Sequence, residues 1–236
     1  MNDRGEIKVS AVIPAYNEAA YIADTLRGLQ QCPGIDEILV VDDGSTDRTA
    51  EIAAIEGARV LSLARNGGKG RAMQFGWRQA KGEIIVFLDA DLGETACEAF
   101  KLIQPLVEGR ADMSVAIFPK TRWKGGLGFV VRLARWGIRT ATNRSVSEPL
   151  SGQRAVRRAL MARLEPLSKG FGVEVGMTID ALRAGGVLIE VPTSMTHRLT
   201  GRDARSIRHR FRQLIDVAGT LLAKSISRKG CIPNEP

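Results

Sequence analysis

Glu37-Ile-Leu-Val-Val-Asp-Asp-Gly-Ser-Thr-Asp47 joins an unbroken apolar run to a polar turn, and Thr46 to Ile55, which follows, reads as a helix. A strand that is apolar at every position, not every second one, has to be covered on both faces, as in a parallel sheet under helices. The same unit recurs on either side. Upstream, Val9 to Ala15 reads as a strand and Glu18 to Gln31 as a helix. Downstream come a strand over Ala58 to Ala64, a helix over Gly70 to Ala80, a strand over Glu83 to Ala90 and a helix over Thr95 to Val107. This alternation predicts an α/β, Rossmann-like domain with a mostly parallel central sheet flanked by helices. Ligands of such sheets bind in the crevice at the carboxyl ends of the strands.

Three strands deliver polar residues to that rim: Pro14-Ala-Tyr-Asn-Glu18, Asp42-Asp43-Gly-Ser-Thr-Asp47 and Asp89-Ala-Asp91. Taken alone, an Asp-x-Asp pair reads equally as a solvated turn or a helix cap. Turn chemistry also accounts for Gly44 and Ser45, and capping for one of Ser45, Thr46 or Asp47. Neither accounts for acidic ends on three strands together. Asp89 and Asp91, separated only by Ala90, bring two carboxylates close, and such a pair needs a proton or a cation between them. A hard divalent ion, Mg2+ or Mn2+, takes carboxylate oxygens together with a diphosphate. Gly67-Gly-Lys-Gly70 adds a lysine among glycines, where the backbone can approach an anion and the ammonium supplies a point charge. It is not a P-loop, because Lys69 is followed by Gly70 where Ser or Thr is required. No Gly-x-Gly-x-x-Gly follows the first strand, which disfavours a dinucleotide-dependent dehydrogenase.

Beyond residue 110 the alternation weakens. Met113 to Phe118 is strand-like, Lys124-Gly-Gly-Leu-Gly128 follows, and a basic helical stretch surrounds Arg132, Arg135 and Arg139. A helix is expected over Val173 to Arg183 and a strand over Val187 to Val191. Glu174 lies in an otherwise apolar helical stretch. It reads either as an exposed helix position or, buried in a cleft, as a general base or acceptor-positioning group. His197 reads as a hydrogen-bonded structural residue or as an imidazole metal ligand. From Ala204 to about Arg228, apolar residues at 207, 211, 214, 215, 218, 221, 222 and 226 form a helical stripe. Its readings are packing on the core, packing on a second copy in a homodimer, or an interfacial helix with its arginines on anionic lipid.

A chain of 236 residues buries one substantial core, and 44% hydrophobic with 25% charged residues is ordinary for a soluble globular protein. With no apolar run of eighteen residues and no apolar segment near Met1, the expectation is a cytoplasmic protein, peripheral at the membrane only through 204–228. Cys32, Cys97 and Cys231 are scattered, which argues against disulfides and a zinc site. The net charge of +8 is concentrated after His197, where nine Arg or Lys face three acids. That suits substrate phosphates or anionic lipid. With 5% aromatics and no recognition motif, no nucleic-acid partner is expected.

Val12-Ile-Pro-Ala-Tyr-Asn-Glu18, Val40-Val-Asp-Asp-Gly-Ser-Thr-Asp47, Gly67-Gly-Lys-Gly70 and Leu88-Asp-Ala-Asp91 resemble, in order, the signatures of family-2-type glycosyltransferases with the GT-A fold. The resemblance implies one domain over 1–236, with a nucleotide-sugar half (1–110), an acceptor half (111–203) and a C-terminal amphipathic helix and tail (204–236). It implies a hexosyltransferase that uses a UDP-sugar, UDP-glucose first, with Mg2+ or Mn2+. Pro14, Tyr16, Glu18 and Asp43 would meet the nucleoside, Gly68 and Lys69 the phosphates or ribose, and Asp89, Ala90 and Asp91 the ribose, sugar and metal. Pro149-Leu-Ser-Gly-Gln153, Gly172-Val-Glu-Val-Gly176 and His197-Arg198 resemble glucosyl-3-phosphoglycerate synthases and their relatives. By that resemblance His197 is a metal ligand beside Asp91, Glu174 lies near sugar and acceptor, and Ser151, Gly152 and Arg198 contact the acceptor. Phosphoglycerate-accepting members carry Gly-Arg-Val-Thr after the glycines and Asn two residues past the histidine. Here those places read Gly125-Gly-Leu-Gly-Phe-Val130 and Leu199. The acceptor is therefore read as a small hydroxylated or phosphorylated molecule. A polyprenyl phosphate, as in dolichol-phosphate-mannose-type synthases, and a non-catalytic nucleotide-sugar binder are the alternatives.

Overall fold

The computed structural model describes residues 7–119, 128–196 and 214–224. His197, Arg198, most of Lys124 to Gly128, and residues 204–213 and 225–236 of the tail lie outside them.

Strands and helices alternate as the apolar runs dictate. β1 (Val9–Ala15), α1 (Ile22–Gln30), β2 (Glu37–Asp42), α2 (Thr49–Ile55), β3 (Arg59–Ser62), α3 (Lys69–Gln79) and β4 (Ile84–Phe87) come first. A 3-10 turn over Gly93–Glu98 then leads into α4 (Ala99–Val107) and β5 (Met113–Ile117). α5 (Gly128–Thr142), β6 (Arg154–Arg157), α6 (Arg158–Met161), α7 (Val173–Arg183) and β7 (Leu188–Pro192) follow, and residues 214–224 are helical. Among the described residues seven strands form one sheet in the order β3-β2-β1-β4-β6-β5-β7. β1 pairs in parallel with β2 and β4, β2 with β3, and β5 with β7. β6 runs antiparallel between β4 and β5.

Both sheet faces are buried over β1, β4, β5 and the carboxyl half of β2, as the unbroken apolar runs require, while the edge strands β3 and β7 are only partly covered. Ile84 and Val86 pack with Ile22, Leu26 and Leu29 of α1 and Leu102 and Leu106 of α4. Ile85 and Phe87 turn to the other face and pack with Met73 and Trp77 of α3 and Val173 and Met177 of α7. A third cluster joins α5, α7 and the 214–224 helix through Val130, Ala134, Ile138, Val175, Ile179 and Val217.

The sequence reading placed these elements and overran several ends. The α1 helix starts at Ile22, not Glu18, because Asn17 adopts φ 56° and the chain turns before it can coil. The helix expected from Thr95 is a 3-10 turn that becomes α-helical only at Ala99. The α7 helix has the expected bounds. β6 is an addition, and it is the strand that makes the sheet mixed.

Chain order reverses across the sheet between β1 and β4: β2 and β3 lie to one side of β1, and β4 and β6 to the other. The segments after β1, β2 and β4 therefore gather at one carboxyl-end crevice, the topological switch point of an open α/β sheet.

Candidate active site

The β1 and β2 ends are stitched together by their polar residues. The Asn17 amide donates to Ser45 Oγ (3.0 Å), the Thr46 amide to Asn17 Oδ1 (2.8 Å) and the Glu18 amide to Thr49 Oγ1 (2.8 Å). Asp42 accepts from the Ser45 amide at 3.0 Å, closing the turn, and Asp47 Oδ1 accepts from the Thr49 amide at 3.0 Å as α2 begins. These bonds absorb Asp42, Ser45, Thr46 and Asp47 into turn and cap chemistry and leave Tyr16 45% exposed on the rim.

Asp43 is 3% exposed, and its two oxygens accept from the Gly67 amide (2.9 Å) and the Gly68 amide (2.7 Å). It is thus the anchor of the Gly67–Gly70 loop, a role the sequence reading did not give it. Gly68, at φ 87°, turns the chain so that α3 begins at Lys69.

Lys69 is the centre of the site. Its Nζ lies 2.7 Å from Asp89 Oδ1 and 2.8 Å from Glu174 Oε1. Burial works against the ammonium, but the two carboxylates outweigh it and raise its pKa, so Lys69 is fully charged at neutral pH. Glu174 is 4% exposed, on the second residue of α7. The exposed-helix reading of Glu174 is thereby set aside. Gln153 Nε2 donates to Asp89 Oδ2 at 2.9 Å. Gly152 sits against this cluster so closely that a Cβ there would come within 2.6 Å of Lys69 Nζ and 2.9 Å of Asp89 Oδ2. Ser151, 5% exposed, completes the strip.

Arg154 was not picked out from the sequence. It is wholly buried on β6, donating from Nη1 to the Glu174 carbonyl (3.0 Å) and from Nη2 to the Ser151 carbonyl. Burial pushes its guanidinium down to about 10 against the pull of Glu174 and Asp89, and it remains a cation at neutral pH. Its sequence signal is faint: an arginine one residue after the Ser-Gly-Gln strip, in a stretch too polar to look like core.

Ala90 is buried and Asp91 partly exposed on the turn after β4. Pro14 and Glu18 are partly buried beside Tyr16. The structure therefore brings Lys69, Asp89, Gly152 and Glu174 into contact, with Asp43 behind the loop.

The sequence profile described as Glycosyl transferase family 2 matches residues 10–171. The chain belongs to glycosyl transferase family 2. Within the family, glycosyltransferase AglJ of Haloferax volcanii is 32% identical over 204 residues, 83% of this chain and 65% of that protein. Glucosyl-3-phosphoglycerate synthase of Mycobacterium tuberculosis is 32% identical over 195 residues, 73% of this chain and 60% of its own length. The chain thus spans less than two thirds of these two curated relatives. A crystal structure of the M. tuberculosis synthase with Mn2+, UDP-glucose and phosphoglyceric acid matches with a TM-score of 0.77 at 32% identity, over 92% of this chain and 79% of that one. An undecaprenyl-phosphate 4-deoxy-4-formamido-L-arabinose transferase of Pseudomonas paraeruginosa is 32% identical over 163 residues, 65% of this chain and 48% of its own.

Asp89 bonds Lys69 and Gln153, and Asp91 lies two residues on, partly exposed, on the turn after β4. Among the described residues no three His, Cys, Asp or Glu side chains cluster as a complete metal cage. A hard ion that draws its remaining ligands from a diphosphate and water fits such a sparse, oxygen-based site, as Mg2+ and Mn2+ do.

Proposed function

We propose that this chain transfers a hexose, glucose first, from a UDP-sugar to a small hydroxylated or phosphorylated acceptor, using Mg2+ or Mn2+. The observation that carries the reading is the Lys69 ammonium, held 2.7 and 2.8 Å from Asp89 and Glu174 at the strand ends of the switch point. A cation poised there meets a diphosphate, and a buried carboxylate across from it faces the sugar's other side.

Pro14, Tyr16, Glu18 and Asp43 form the nucleoside end, and Gly68 and Lys69 the diphosphate end. Asp89 and Ala90 lie against ribose and sugar, and Asp91 with His197 takes the cation, which when bound neutralises charge on the departing diphosphate. Ser151, Gly152 and Arg198 bound the acceptor. In the reaction the bond between the anomeric carbon and the diphosphate oxygen breaks, UDP leaves with the electron pair, and an acceptor oxygen bonds the anomeric carbon. Glu174 accepts the acceptor's proton if configuration inverts; if it is retained, Glu174 orients the hydroxyl and the proton passes to the departing diphosphate oxygen.

Purified protein should release UDP slowly from UDP-glucose with Mn2+ or Mg2+, and EDTA should stop it. Asp91→Ala should abolish release, and normal turnover by that variant would refute the metal role. Tight UDP binding with no turnover across a broad acceptor panel would instead mark a non-catalytic nucleotide-sugar binder.

One observation favours a second reading, a lipid-phosphate acceptor. Phe129 and Trp136 are 67% and 64% exposed on α5, interleaved with Arg132, Arg135 and Arg139. The α5 helix meets the 214–224 helix where a Cβ at Gly137 would touch Leu221, and Ile215 and Leu222 of that helix are also exposed. Exposed aromatics among arginines suit a membrane interface.

A further inference from the structure

We propose that the 214–224 helix is a positioning element of the active site, with Asp216 and Thr220 fixing the Gly170–Gly172 turn and, through it, the separation of Lys69 and Glu174. The inference rests on the functional reading above and extends it to residues which that reading does not use.

The turn is pressed from one side by this helix. Asp216 Oδ2 accepts from the Phe171 amide at 3.0 Å. A Cβ on Gly170 would lie 2.2 Å from Asp216 Oδ2, and one on Gly172 would lie 1.9 Å from Thr220 Oγ1. A Cβ on Gly176 would lie 3.4 Å from Thr220 Cγ2. Thr220 is 7% exposed and Val217 wholly buried, so the seat is a packed one. Farther along, Lys224 pairs with Asp180 and the Arg183 guanidinium donates to the Lys224 carbonyl at 3.0 Å. The helix therefore grips α7 at both ends.

From its other side the same segment meets the helix that begins with Lys69. A Cβ on Gly70 would lie 2.2 Å from the Ser168 carbonyl oxygen, and one on Gly68 would lie 3.9 Å from Gly170 Cα. Glu174 follows Gly172 by two residues. Residues 168–172 are thus wedged between the start of α3, which presents Lys69, and the 214–224 helix, and they lead directly into the turn that presents Glu174. Close-packed backbone of this kind transmits displacement instead of absorbing it. Asp216 and Thr220 touch no reacting group and act only through the turn.

The test compares Asp216→Ala with Asp216→Asn, whose amide oxygen still accepts from the Phe171 N–H. Asp216→Ala should lower kcat for UDP release from UDP-glucose on the order of 100-fold, the loss expected for a misplacement near 1 Å. Its affinity for uridine, measured by NMR titration, should stay within about twofold, since the β1 and β2 ends that form the nucleoside end are bonded to one another through Asn17, Glu18, Ser45 and Thr49. Asp216→Asn should recover most of kcat. Hydrogen exchange read by mass spectrometry should rise in Asp216→Ala for peptides covering 168–176 and 66–73, but not for 84–92. Wild-type kcat in Asp216→Ala, or unchanged exchange at 168–176, overturns the proposal. So does loss of uridine binding together with kcat, which marks general unfolding. If the wild-type chain turns over no sugar nucleotide, the functional reading has failed, and exchange and uridine affinity alone decide this one.

Discussion

Lys69 separates two carboxylates that would otherwise share a crowded pocket. Removing it in Lys69→Met takes away the ammonium that touches both Asp89 and Glu174 and leaves the buried Arg154 guanidinium as their neighbouring cation; breaking a buried pair in this way costs about 3–5 kcal/mol. Urea unfolding at pH 7 should show that loss. At the alkaline end the loss fades. The folded protein raises the Lys69 pKa, so its stabilisation is complete below the unfolded value of about 10.4 and is lost as pH climbs through the higher folded value. The wild-type minus Lys69→Met difference should accordingly be flat from about pH 7 to 10 and shrink above that. Gly152→Ala tests the same cluster by volume. Its Cβ would meet Lys69 Nζ at 2.6 Å, so the ammonium has to leave Asp89, and UDP release should fall about tenfold or more with little change in fold.

At the scale of elements, Gly70 shows how tightly α3 is seated. A Cβ there meets a backbone oxygen, Ser168 O, at 2.2 Å, and backbone cannot rotate away. Gly70→Ala should cost about 1–3 kcal/mol and lower turnover with it, because α3 must retreat and carries Lys69 along. A thermal scan beside a UDP-release assay reads both, and a variant stable but inactive, or active but unstable, would show that the two are not coupled. Elements whose packing matches their local pattern were legible in the sequence: β2 is apolar from Ile38 to Val41 and β4 throughout because both faces are covered, and α7 keeps its expected bounds. β6 was not legible, because only two apolar residues, Ala155 and Val156, stand between its arginines. Arg154 becomes a core residue only because the Glu174 and Ser151 carbonyls converge on it from other elements, which no local pattern records. The α1 start was misplaced for a similar reason, since Asn17 and Glu18 bond to Ser45 and Thr49 across 28 and 31 residues. The acidic strand ends were legible as a group, but not which of them are absorbed locally. Asp42 and Asp47 close their own turns, Asp43 holds the glycine loop, and Asp89 is left facing Lys69.

At the scale of the whole molecule, the choice of acceptor turns on whether the α5 face is wet or lies on lipid. No described helix is long and apolar enough to cross a membrane, and contact of the α5 face with lipid would be interfacial. Arg132, Arg135 and Arg139 supply about 1 kcal/mol each near an anionic surface, and that attraction fades within a Debye length as salt rises. About 3 kcal/mol is less than one buried myristoyl chain provides, and such a chain alone holds a protein only marginally. Phe129 and Trp136 are already about one-third covered by the protein, so their insertion adds less than a fully exposed ring would. The expected outcome is that the protein stays in the supernatant with phosphatidylglycerol vesicles at about 0.15 M salt, while UDP release continues undiminished without any vesicle. Pelleting that survives this salt and disappears in the Phe129→Ala/Trp136→Ala double variant would reverse the order of the two readings. The face beside Gly137 and Leu221 would then be the side from which a lipid phosphate enters, and the acceptor screen would move from soluble sugars and acids to polyprenyl phosphates in detergent.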